Sequence, residues 1–361
     1  MSTTENTYTI DVIAGDGIGP EVMSAAVACV DALGPAFGYT VQWRIRDWGS
    51  GYYRRHGRMM PADGLDQLAT GDAILLGAVG TPDIADDASL WGLLIPIRRH
   101  FDQYVNLRPV RLLPGVTSPL ADPGQVDILV VRENTEGEYS EVGGRIHRGQ
   151  PGEAAIQEAV FTRAGITRVT EYAIDQAVRR KGHLISATKS NGIIHTMPFW
   201  DQVVEETAAG RTGLTLEKVL IDALAARLVL NPRSVDVILA SNLFGDILSD
   251  LAAAVAGSIG VAPSANLNPP RRHPSMFESV HGSAPDIAGQ GLANPLGQMW
   301  AAAMMLDHLG QPAATSALTA SFESALQSGT RTRDLGGTAS TAQFTDAVLE
   351  QCRTVNPAAA A

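Results

Sequence analysis

"YTIDVIAGDGIGPEV", residues 8–22, decides the fold class. From Tyr8 to Ala14 the stretch is rich in β-branched and apolar residues and reads as a strand. Gly15, Gly17 and Gly19 then turn the chain, and Pro20 suits the first turn of a helix expected to run to about residue 33. A strand that feeds a helix through a glycine turn is the building unit of an α/β protein. The dinucleotide fingerprint G-x-G-x-x-G does not match, because these glycines alternate, so a standard Rossmann site is not supported. On glycine content alone the motif is a tight strand-to-helix turn.

The same alternation continues outward. "YTVQWRI", "DAILLGAV", "YVNLRPVRLL" and "VDILVVREN" read as strands, and "WGLLIPIRRHF" as a helix interrupted by Pro96. "EGEYSEVGGRIHRG" through "EAAIQEAVFTR" reads as an irregular arm with β character, standing off the body. Helices are expected at "AGITRVTEYAIDQAVRRKG", "GIIHTMPFWDQVVEETA", "DALAARLVLNP" and "NLFGDILSDLAAAVAG". The strands "HLISATK", "LEKVLI" and "VDVILAS" separate them. From about residue 294 the chain reads as mainly helical, with "VNPAAAA" as a disordered tail. Strands and helices in alternation imply a largely parallel sheet covered by helices.

Composition narrows the function. The 361 residues are 45% hydrophobic and 18% charged, with a net charge of −11. That is an ordinary globular balance with room for two domains, and the acidity argues against nucleic acid or an anionic membrane as partner. Cys29 and Cys352 are the only cysteines, so neither a disulfide framework nor a cysteine metal site is indicated. The N-terminal residues show no basic-then-apolar secretory pattern, and no apolar run reaches about 18 residues, so a cytoplasmic protein is expected.

Four patterns carry chemistry. Asp246 and Asp250 in "SNLFGDILSD" lie four apart, so both carboxylates project from one helix face. A solvated stripe of Asp246, Ser249 and Asp250 is the simplest reading, yet like charges at this spacing repel and no Lys or Arg follows within a turn. Arg98, Arg108 and Arg132 would suit a di- or tricarboxylate if their guanidiniums converged. Lys189 closes an apolar strand, where ligands gather in α/β sheets, and Asp222 at the next strand end reads locally as a helix N-cap. "FESVHGSAPDIAGQGLANP", residues 277–295, is a long small-residue loop able to bring backbone N–H groups to phosphates and a carboxylate to a ribose.

Together "IAGDGIGPEV", "NLRP", "VRENTEGEY", "SNLFGDILSD" and "HGSAPDIAG" resemble the β-decarboxylating dehydrogenases, the family of isopropylmalate, isocitrate, homoisocitrate and tartrate/D-malate dehydrogenases. The resemblance spans nearly the whole chain, and "SLWG" followed by "RRHFDQYVNLRPV" is most similar to the tartrate/D-malate branch. It implies a non-Rossmann two-domain α/β fold: residues 1–103 with 257–361 as cofactor-binding domain, and 104–256 as substrate, metal and dimerisation domain. An arm near 139–163 would clasp a second subunit. It also implies that Asp246 and Asp250 coordinate Mg²⁺ or Mn²⁺ with the other subunit's copy of Asp222. Arg98, Arg108 and Arg132 would then hold the substrate carboxylates, with Trp91 lining the pocket. Lys189 from the neighbouring subunit would take the hydroxyl proton, and Tyr139 would protonate the enol carbon. His281, Gly282, Ser283, Ala284, Asp286 and Asn294 would bind NAD, and a monovalent cation such as K⁺ is a further candidate cofactor.

Two details point to substrate and cofactor. Trp91 stands seven residues before Arg98, where relatives acting on isopropylmalate carry an acidic residue, and Gly192 removes a wall contact. Both favour small C4 hydroxy-dicarboxylates, with a plain core tryptophan as the alternative reading of Trp91. Asp286 would accept from a ribose hydroxyl pair and repel a 2′-phosphate, and residues 282–293 contain no basic side chain, which favours NAD over NADP. The alternatives are a 3-isopropylmalate dehydrogenase or a non-catalytic regulatory subunit of a related dehydrogenase; retention of Tyr139, Lys189 and all three aspartates argues against the second. A metal-dependent phosphotransferase would need a P-loop, and no G-x-x-x-x-G-K-[ST] is present.

Overall fold

The computed structural model describes residues 6–355, so all but Val355 of the tail expected to be disordered lies outside the described residues. Strands β1 (Asn6–Gly15), β2 (Tyr39–Ile45), β3 (Ala73–Ala78), β4 (Val105–Arg111), β5 (Asp127–Glu133) and β6 (Gly143–Ile146) come first. β7 (Ala154–Gln157), β8 (His183–Thr188), β9 (Thr215–Leu220), β10 (Val237–Ala240), β11 (Pro263–Leu267) and β12 (Ser275–Ser279) follow, with helices between most of them.

The chain forms two compact units. The first takes the chain up to Gln103, Leu112–Pro119, and everything from Ala256 on; the second takes Tyr104–Arg111 and Leu120–Val255. The sequence boundaries at 103/104 and 256/257 differ from this at Ala256 and at Leu112–Pro119. The latter packs on unit-one backbone: a Cβ on Gly257 would come within 2.5 Å of Val116 Cγ1, and one on Gly115 within 2.9 Å of the Leu326 carbonyl.

In the first unit the strands run β2-β1-β3-β12-β11, parallel except for the antiparallel β11–β12 pair. In the second they run β4-β5-β10-β8-β9, parallel except for β4–β5. The central strands β3 and β10 are buried at every residue, as expected of parallel strands covered on both faces. β11 and β12 were not anticipated. Their "PSANL" and "SMFES" carry Ser, Asn and Glu in fully buried positions, which hides the apolar signal of a strand.

The helix after the glycine turn spans Gly19–Phe37, four residues past the expected end, and stops at Gly38, whose φ of 70° closes its C-terminus. Pro96 does not interrupt its helix. Instead a wide π-type turn over Leu90–Leu94 joins Asp86–Ser89 to Ile95–His100, relieving the clash of the proline ring with the carbonyl one turn back. The expected arm is a two-stranded antiparallel ribbon, β6 with β7, exposed at every residue. Cys29 and Cys352 are free and buried. No helix among the described residues is long and apolar enough to cross a membrane.

Candidate active site

The helix Asn242–Val255 carries Asp246 and Asp250, and the face they share is only partly solvated: Asp250 is exposed and Asp246 half-buried. Ser249 between them is buried, and two arginines from neighbouring strands lie against the carboxylates. Arg132, near the end of β5, places Nη1 2.5 Å from Asp246 Oδ1 and donates from Nη2 to Asn242 Oδ1 at 2.7 Å. Arg108, in the middle of β4, places Nη1 3.1 Å from Asp246 Oδ1 and 3.3 Å from Asp250 Oδ1. Its Nη1 also donates to Ser249 Oγ at 2.7 Å, and its Nε to Asn106 Oδ1 at 2.8 Å. Both arginines are more than nine-tenths buried, where an unpaired guanidinium would be costly. Gly245 is what lets Arg132 lie across the helix, since a Cβ there would fall 2.6 Å from the arginine's Cβ and Cγ. The cation missing from the helix sequence is therefore supplied by β4 and β5. Burial pushes the Asp250 carboxyl up, with Arg108 opposing.

The "TEGEY" turn lies over the start of the same helix. The Tyr139 hydroxyl donates to Asp246 Oδ2 at 3.2 Å, and the Arg132 guanidinium sits 5.8 Å from the Tyr139 ring centroid. Burial, then the Asp246 charge, raises the phenol above its ordinary pKa.

Lys189 directly follows β8, and its Nζ donates to Asp222 Oδ1 at 2.7 Å. Asp222 is not the N-cap read from sequence. The helix is Ile221–Leu230 with Leu220 at the cap, so Asp222 sits in the first turn, its carboxyl held below the usual range by the Lys189 hydrogen bond. Among the described residues of one chain, no three His, Cys, Asp or Glu side chains are grouped to hold a metal ion.

In the first unit, Arg98 donates from Nη2 to Glu278 Oε1 at 2.9 Å, both side chains buried, and Asn266 Nδ2 reaches the same oxygen at 2.7 Å. Trp91 is half-buried rather than a core residue, with the Arg99 guanidinium 5.1 Å from its ring centroid. Gly192, in the second unit, is exposed and leaves open space beyond Lys189.

The glycine turn of residues 15–19 buttresses the 280–295 loop. A Cβ on Gly17 (φ +57°) would lie 1.9 Å from the Ser283 carbonyl, and Ile18 N donates to that same oxygen at 2.8 Å. Buried Asp16 ties the turn down, accepting from Ser50 Oγ at 2.6 Å and Gly80 N at 2.8 Å. On the loop, Asp286 and Gly282 are exposed, and Ala284 holds a φ of 39°. His281 Nε2 is buried without a partner, and burial lowers the ring's pKa. Asn294 accepts from Leu296 N at 3.0 Å and donates to Asp334 Oδ2 at 2.9 Å.

The isocitrate/isopropylmalate dehydrogenase family model matches residues 9–348. The chain belongs to that family. It is 50% identical over 348 residues to a probable tartrate dehydrogenase/decarboxylase of Bacillus subtilis (strain 168), covering 96% of this chain and 98% of that one. A D-malate dehydrogenase [decarboxylating] of Escherichia coli (strain K12) is 51% identical, covering 95% and 98%. The crystal structure of isocitrate dehydrogenase from Methylococcus capsulatus superimposes with a TM-score of 0.87 at 32% identity, over 96% of this chain and 100% of that one.

Membership of the isocitrate/isopropylmalate dehydrogenase family makes the protein an oxidoreductase with that family's two-domain α/β fold. Several residues that shape its site escaped sequence reading. Asn106 stands two residues before Arg108 on the same strand face, a signal that period-two reading offers. Glu278, Asn242 and Glu138 gave no such signal, because their partners lie far along the chain.

Proposed function

We propose that the protein is a cytoplasmic, NAD- and divalent-metal-dependent dehydrogenase of small C4 hydroxy-dicarboxylates, oxidising tartrate and D-malate and converting D-malate to pyruvate and CO₂. The observation that carries this reading is the cluster of two buried arginines, two same-face aspartates and a tyrosine hydroxyl around Asp246, in a chain whose relatives include enzymes named for tartrate and D-malate.

The donor set suits the proposed ion. Asp246 and Asp250 offer only carboxylate oxygens, the chemistry of Mg²⁺ or Mn²⁺, and the other subunit's copy of Asp222 would complete the protein ligands. The unpartnered His281 nitrogen and the exposed Asp286 fit a dinucleotide laid along the 280–295 loop, together with Gly282, Ser283, Ala284 and Asn294. When bound, the dinucleotide supplies the hydride acceptor and the ion supplies Lewis acidity. Arg98, Arg108 and Arg132 would hold the carboxylates, exchanging their present carboxylate partners for those of the substrate. Lys189 would take the hydroxyl proton, and Tyr139 would return a proton to the enol carbon after CO₂ leaves. Trp91 on one side would keep the pocket small.

Exposed apolar side chains support a homodimer: Ile146 and Ile156 on the arm, Leu230 and Ile247 on the two helices that carry the aspartates. The test is steady-state kinetics on D-malate, the tartrates, 3-isopropylmalate and isocitrate with Mn²⁺, using NAD or NADP. D-malate or tartrate with NAD is expected to have the highest kcat/KM. A preference for 3-isopropylmalate moves the enzyme to leucine-type chemistry, equal use of NADP removes the Asp286 argument, and no turnover on any substrate favours the regulatory subunit.

A further inference from the structure

We propose that Glu138 is a positioning residue: its carboxylate clips the turn bearing Tyr139 onto the N-terminus of the aspartate helix, so that the phenol is held at Asp246. The inference rests on Tyr139 being the proton donor proposed above.

The geometry is that of a cap supplied from a distant segment. Ser241 precedes the helix, and its carbonyl accepts the helix's first hydrogen bond, from Gly245 N at 2.8 Å. The N–H groups ahead of it, from Asn242 to Phe244, have no helical carbonyl one turn back to donate to. Glu138 Oε2 accepts from one of them, Leu243 N at 3.1 Å, while Oε1 accepts from the buried Ser241 hydroxyl at 2.7 Å. A carboxylate at a helix N-terminus is favoured by the helix dipole as well as by these bonds. A third bond holds the same turn down: Asn242 Nδ2 donates to the Glu136 carbonyl at 3.2 Å. One residue beyond Glu138, the Tyr139 hydroxyl meets Asp246, one helical turn further along. The turn is therefore fastened at both ends along the first turns of the helix that carries the proposed metal ligands.

Its acidic neighbours do other work. The Glu133 carboxylate accepts from Thr135 N at 3.0 Å and Glu136 N at 2.8 Å, folding the turn on itself. Glu136 accepts from Thr162 N at 2.7 Å and Thr162 Oγ1 at 2.6 Å, tying the turn to the base of the arm. Of the three, Glu138 is the one whose carboxylate reaches the aspartate helix. Glutamine in its place keeps the length and can still accept from Leu243 N and donate to the Ser241 hydroxyl, but it loses the charge that the helix N-terminus favours; alanine loses charge and both bonds.

The experiment is a double-mutant cycle on D-malate oxidation with NAD and Mn²⁺, using Glu138→Ala, Glu138→Gln, Tyr139→Phe and both double variants, with Mn²⁺ titration calorimetry and thermal midpoints on each. Glu138→Ala is expected to lower kcat by about 10- to 100-fold while KM for D-malate moves by less than about threefold, with Glu138→Gln intermediate. In the Tyr139→Phe background the same substitutions are expected to cost less than about twofold, because Glu138 acts through Tyr139. Equal losses in both backgrounds, or a loss confined to Mn²⁺ affinity, overturn the positioning role and leave Tyr139 as the donor. Wild-type turnover by Tyr139→Phe overturns the donor reading and the inference with it. If Glu138→Ala does not fold, Glu138→Gln closes the cycle.

Discussion

At Asp246 one carboxylate meets Arg132, Arg108 and the Tyr139 hydroxyl. Each guanidinium is also a carboxylate receptor, so either can exchange this partner for a substrate carboxylate. Asp246→Asn and Asp250→Asn preserve shape and remove charge. Each is expected to weaken Mn²⁺ binding by at least about tenfold in titration calorimetry and to abolish most turnover. Asp246→Asn is also expected to lower the thermal midpoint, because it removes the charge that faces buried Arg132 and Arg108. Unchanged affinity in both variants would mean that the aspartates serve only to neutralise Arg108 and Arg132. The paired carboxylates, and the want of a nearby cation, were legible in residues 242–260. What answers them was not, since Arg132 lies 114 residues and Arg108 142 residues earlier in the chain.

Elements show the same division. The strand, glycine turn and helix of residues 8–22 were readable because local sterics set them: Gly15 and Gly17 take positive φ that other residues resist. That the turn then buttresses the 280–295 loop through Ser283 follows from packing alone. Another long-range contact yields a pH prediction. His308 closes the helix Leu296–His308 with its ring 5.5 Å from that of Phe277 on β12, and burial, then Arg271, lowers its pKa to about 4. A base that stays neutral in the folded state stabilises it above the unfolded pKa of 6.5, and that stability is lost as pH falls from 6.5 towards 4. The contribution is of the order of 3 kcal/mol at most. His308→Phe is expected to flatten urea-unfolding stability across that window, and a parallel slope in the variant would assign the acid sensitivity to other groups.

For the whole molecule, each unit has its own strand set and helices, and the proposed substrate arginines are divided, Arg98 in the first unit and Arg108 and Arg132 in the second. The arm's Ile146 and Ile156 are exposed, and so is Leu230, at 83%, which is the surface the proposed dimer would cover. Sedimentation equilibrium is expected to give a dimer at micromolar concentration, and deleting residues 143–157 to give an inactive monomer; an active monomer would contradict sharing of Lys189 and Asp222 across subunits. Sequence alone determined the α/β class, the alternation of strands and helices and the arm. Each of these rests on local periodicity, glycine and proline sterics, or side-chain type, all of which act over a few residues. Only the tertiary structure decided that Ser249 is buried, that Asp222 faces Lys189 rather than capping its helix, and that Arg98 is held by Glu278. It also decided that Glu138 caps the aspartate helix. These pairings join residues far apart in the chain, and a charge in a sequence does not reveal which opposite charge burial will bring to it.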